Sequence, residues 1–115
     1  MEYKPESMIS LMKTAVDNLQ NYSFSEFQKM LPRQVNRNFS YGLLNNIFTR
    51  QTGMSLKEYF HRKKTEKANE LLEYYHLTNL EVAYQLGFRN ISSMIRTIRL
   101  KNLQFRHSGY ALSTA

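Results

Sequence analysis

Arg89, Asn90, Ser92, Ser93, Arg96 and Arg99 all carry hydrogen-bond donors, and no carboxylate occurs anywhere from residue 82 to residue 115. Met94 and Ile98, four positions apart, would turn one face of a helix inward and leave the polar groups on the other. Donors and cations with no acid among them suit the phosphates of a polyanion. The same stretch breaks at Gly87-Phe88 and restarts at once, which a helix that only packed would have no cause to do.

Charges elsewhere fall into blocks. Residues 29–64 hold Lys29, Arg33, Arg37, Arg50, Lys57, Arg62, Lys63 and Lys64 against Glu58. Residues 65–81 turn acidic, with Glu66, Glu70, Glu73 and Glu81 against Lys67. Two basic blocks are thus separated by an acidic one. They are either solvated helix faces or two surfaces that each meet phosphate.

The bulk numbers set outer limits. A chain of 115 residues is about one domain and can bury a modest core. Its net charge of +7 favours nucleic acid as a partner, with an acidic membrane surface second. With no cysteine, disulfides and thiolate metal sites are excluded. No apolar run approaches the roughly 18 residues of a membrane span, and MEYKPES is unlike a signal peptide. The expectation is a soluble cytoplasmic protein.

Apolar periodicity and capping signals predict an all-α fold. Ile9, Met12, Val16 and Leu19 predict a helix over 7–21. Ser23 with Glu26 makes a capping box before a short helix carrying Phe24, Phe27, Met30 and Leu31, which Pro32 should stop. Ser40 caps a helix with Leu43, Leu44, Ile47 and Phe48 inward, closed by Gly53. Ser55 and Glu58 start a long helix over 56–75. Thr78 and Glu81 start another over 79–86, with Leu80, Val82, Ala83 and Leu86 buried. Asn90 caps a sixth over 91–101 with Met94, Ile95 and Ile98 inward, and Leu103, Phe105, Tyr110 and Leu112 suggest a last short one.

Helix 79–86 with helix 91–101 meets the needs of a helix-turn-helix. Ala83 is small where the second helix crosses, and Gly87 allows the tight reversal. The second helix can then enter a major groove.

The stretch FTRQTGMSLKEYFHRKKTEKANELLEYYHLTNLEVAYQLGF, residues 48–88, resembles the AraC/XylS family of transcription regulators. The family reads F-K-x-x-x-G-x-S/T-x-x-x-Y, then R-x-x-x-A-x-x-L-L, then I/L-x-x-I/V-A-x-x-x-G-F. Matching residues are Phe48, Gly53, Ser55 and Tyr59; Lys64 at the arginine position, Ala68, Leu71 and Leu72; then Val82, Ala83, Gly87 and Phe88.

The resemblance implies two helix-turn-helix subdomains, 1–54 and 76–115, joined by a linker helix over 55–75 in one DNA-binding unit. A connector of about 30 Å is close to one duplex turn, so two recognition helices could enter successive major grooves. Carried onto this chain, the base-reading positions are Tyr41, Asn45, Asn46, Thr49 and Arg50 in the first unit. In the second they are Asn90, Ser92, Ser93, Arg96 and Arg99, with Arg89 on a phosphate. Asparagine can bond an adenine edge bidentately, and arginine can reach guanine or phosphate. Lys57, Arg62, Lys63 and Lys64 would serve phosphates or the surface.

The function implied is sequence-specific binding of double-stranded DNA by a monomeric transcription activator, without a cofactor. RNA polymerase is a further expected partner. The chain is similar either to short stand-alone members or to the DNA-binding half of a longer one. A different class of function also fits: a diverged member that docks on RNA polymerase or on another regulator. Divergence shows in MLPRQVNRNFS, which carries extra residues and a proline, in Gly42 at a usual contact position, and in the tail. His61, His76 and His107 have no i, i+4 pairing, and no nucleophile or phosphate-loop motif occurs, so neither a metal site nor catalysis is expected.

Overall fold

The computed structural model describes residues 5–107, with side chains from residue 6 to residue 99. Among the described residues there are six helices and no strand: α1 (Pro5–Asn18), α2 (Phe24–Val35), α3 (Tyr41–Thr52), α4 (Leu56–Glu73), α5 (Asn79–Gln85) and α6 (Ile91–His107).

Helix starts lie where short polar side chains take up free backbone N–H groups. The capping boxes at Ser23–Glu26 and Thr78–Glu81 are complete in both directions. The Thr78 backbone N–H, and then its hydroxyl, hold the Glu81 carboxyl below the usual carboxylate range. Ser40, Ser55 and Asn90 accept from the N–H groups of Leu43, Glu58 and Ser93 at 3.2, 3.1 and 2.7 Å. Gly53 ends α3 at φ 76°, left-handed as a glycine C-cap requires.

The described residues divide into two compact units, with the boundary between Lys63 and Lys64. In the first, α1 packs on α2 and α3, and α2 packs on α3. Its core includes Met12, Val16, Phe27, Leu31, Leu44, Phe48, Leu56 and Phe60, all fully buried. In the second, α5 packs on α6 around Ala68, Leu71, Val82, Ala83, Leu86 and Met94. The boundary falls inside α4 rather than at its ends. This helix is not a bare linker, since Leu56 and Phe60 belong to one core and Ala68 and Leu71 to the other.

Several expectations need correction. Pro32 does not stop α2, which runs on to Val35. An interior proline costs about 3 kcal/mol, but continuing the helix keeps Val35 against the core beside fully buried Leu31. Leu43, Leu80 and Ile95, expected inside, are 44, 66 and 38 % exposed. In α5 the buried face is set by Val82 and Ala83, with Leu86 buried just past its end, and at 100° per residue Leu80 lies roughly 110° from the centre of that face. Leu43 likewise lies about 100° from Leu44 and about 140° from Phe48, and Ile95 about 100° from Met94. α6 extends to His107, so no separate helix begins at Leu103. Tyr110 and Leu112 lie outside the described residues.

Candidate nucleic-acid interface

In the first unit α2 leads and α3 follows across it. Leu44 and Phe48 fix the inward side of α3, which leaves Gly42, Leu43, Asn46, Thr49 and Arg50 together on the opposite side, all exposed. No acid occurs in α3. Of the five residues expected here, Asn46, Thr49 and Arg50 share that outward face. The other two are drawn into the fold. The Tyr41 ring is half-buried, edge-on to Phe24 at 6.1 Å, and burial pushes its hydroxyl up to about 12. Asn45 is half-buried, and its Oδ1 accepts the Leu56 N–H at 2.8 Å. A carboxamide oxygen held there takes up a free donor in the first turn of α4 and is not open to a base edge.

Asn45→Ala should therefore destabilise the chain by about 1 kcal/mol in urea unfolding, the usual cost of a lost cap. Asn45→Asp, which keeps an acceptor, should recover most of that loss.

In the second unit the reversal is built by hydrogen bonds. Gly87 N–H donates to Tyr84 O at 3.3 Å and Phe88 N–H to Ala83 O at 2.9 Å, a Schellman closure. It places Gly87 at φ 71°, where a Cβ would be strained. Ala83, 2 % exposed, lies in the core shared by α5 and α6. Met94 is fully buried, with Ile91 and Ile98 packed beside it. Ser92, Ile95, Arg96 and Arg99 then lie together on the outer side of α6, with Arg89 exposed in the preceding turn. Ser93 stands about 100° from Ser92 and is half-buried. Asn90 is exposed but uses Oδ1 to cap α6.

The four basic residues expected at phosphates or on the surface separate. Lys57 is exposed, with its ammonium 5.8 Å above the Phe24 ring. Arg62 and Lys63 are half-buried, Lys63 lying over Tyr59 at 5.6 Å. Lys64 is a correction: it is only 3 % exposed, its ammonium donates to the Leu86 carbonyl, and it sits 5.4 Å above the Phe88 ring. It fastens the turn between α5 and α6 instead of meeting phosphate. Nothing local marks it, because both partners lie more than twenty residues away in sequence.

Leu43 and Ile95, expected inward, place apolar side chains among the outward polar groups. Such groups can meet the methyl of thymine.

Among the described residues no group of three or more His, Cys, Asp or Glu could hold a metal, and no helix is long and apolar enough to cross a membrane.

A family model described as "Helix-turn-helix domain", of the AraC type, matches residues 37–101, more than half of the chain. The match takes in α3 to α5 and most of α6, and leaves out α2. No curated protein and no solved structure matches the chain significantly. With the glycine-closed turn and the acid-free outer faces already described, the match means that this chain belongs to the AraC-type helix-turn-helix family of DNA-binding transcription regulators, which are not enzymes.

Proposed function

We propose that this regulator is a sequence-specific activator that binds as a monomer and sets α3 and α6 into successive major grooves of one duplex. The observation that carries the proposal is the matched pair of outer faces. Asn46, Thr49 and Arg50 on one, and Ser92, Arg96 and Arg99 on the other, are exposed and have no carboxylate on their own helices. Base contacts belong to Asn46, Arg50, Arg96 and Arg99, with Leu43 and Ile95 toward thymine methyls; Arg89 and Lys57 take phosphates.

Selection from a random-sequence duplex library tests this directly. Two short motifs about 10 base pairs apart should be enriched, with one chain per duplex at saturation. Arg96→Ala should cost about 1–3 kcal/mol at one base position and relax preference there, with little effect on random DNA. A library that yields no motif would remove the proposal.

A second reading, action through protein contact alone, is favoured by one observation. Tyr74, Tyr75 and Leu80 are 73, 62 and 66 % exposed within the acidic segment, and Tyr84, just past it, is 85 % exposed. Large apolar groups left in water often mark a contact surface. In the activator this surface would meet RNA polymerase. A DNA affinity that does not change with salt would make contact the sole function.

A further inference from the structure

Lys29, Arg33 and Arg37 follow one another at four-residue spacing along α2 and just past its end, and all three are exposed. With Pro32 they line an open cleft of about 560 Å³ in the first unit. None of the three has an ion-pair or hydrogen-bond partner among the described residues. Glu26, placed to neutralise Lys29 one turn away, directs its carboxylate to the Ser23 N–H at 3.0 Å. The carbonyl end of α2 gives a reason for Arg33 in the last turn. It gives none for Lys29 in mid-helix, nor for three cations converging on one cleft.

We infer that this cleft binds phosphate, a site distinct from the outer faces of α3 and α6. Cations brought together without a counter-charge repel one another, and an anion between them relieves that repulsion. Two arginines also offer planar forks that fit phosphate oxygens. Chain connectivity favours the duplex backbone as the source. Arg37 stands three residues before Ser40, the cap of α3, so it lies within about 10 Å of that helix's start. A phosphate held there would fix the register of α3 in its groove without reading sequence. Lys29, Pro32 and Arg33 fall outside residues 37–101, so the site is a property of this chain and not of the family match. The DNA-binding reading enters only in naming the source; a free phosphorylated molecule would offer the same chemistry.

The test uses the full chain and a combined Lys29→Gln, Arg33→Gln, Arg37→Gln variant, with helical content checked by circular dichroism. Fluorescence anisotropy against a selected duplex and a random one, over a range of salt, should show the slope of log affinity on log salt reduced by roughly 0.9 per lost contact. Near 0.1 M salt the combined loss should be on the order of 10²-fold and equal on both duplexes. Calorimetric titration of the DNA-free chain with inorganic pyrophosphate forms the second arm. A changed slope without pyrophosphate uptake identifies the backbone as the source. Uptake that the variant abolishes identifies a free phosphorylated ligand. If the native chain binds no duplex, the proposed function fails and the pyrophosphate arm alone decides the cleft. An unchanged salt slope, with pyrophosphate uptake equal or absent in both proteins, overturns the inference.

Discussion

Lys64→Ala is expected to destabilise the second unit by about 2–4 kcal/mol, and Lys64→Met by about 1–3. Both variants remove the donor to the buried Leu86 carbonyl, and a buried acceptor left without its partner costs its full desolvation. Methionine retains a flexible stem of similar length above Phe88, whereas alanine leaves a hole as well. Urea unfolding followed by amide exchange in α5 and α6 measures both losses. DNA binding gives an independent check. A lysine on a phosphate contributes about 0.9 to the salt slope, while one buried under a turn contributes nothing. The slope for Lys64→Met, measured where the variant is folded, should equal that of the native chain. A shallower slope would return Lys64 to the phosphate-contacting set.

Phe60→Ala should destabilise the first unit by about 3–5 kcal/mol. Phe60 is fully buried, with its ring centre 4.5 Å from that of Phe27 and 5.6 Å from that of Phe24. Aromatic pairs at such distances add to the area they bury. A loss of that size is a large part of the 5–15 kcal/mol that holds a typical domain folded. Denaturant midpoints followed by tyrosine fluorescence, together with amide protection in α1 to α3, would report it. Phe60→Leu should lose clearly less, because most of the volume remains. Equal losses would mean that the ring contacts contribute little beyond the space they fill.

What was legible beforehand was what depends on neighbours in sequence. Ser23, Ser40, Thr78, Asn90, Gly53 and Gly87 act on backbone groups within a few residues, and each does what its type and spacing imply. The family resemblance was legible for the same reason, since its motif is a string of such positions. What was not legible depends on distant partners. The inward side of a short helix is fixed by the element packed against it, so hydrophobicity alone puts Leu43, Leu80 and Ile95 on the wrong side. Pro32 is a strong local stop, overridden by what Leu31 and Val35 pack against. Asn45 and Lys64 looked like surface groups because their partners, Leu56 and Leu86, are 11 and 22 residues away.

The carboxamide of Asn45 bears on any attempt to retarget the protein. Exchanging the whole of α3 for that of another regulator would replace a residue that secures the start of α4. Altered binding would then be confounded with a weakened scaffold. Libraries that diversify residues 42, 43, 46, 49 and 50 while holding 45 constant would keep the two effects apart.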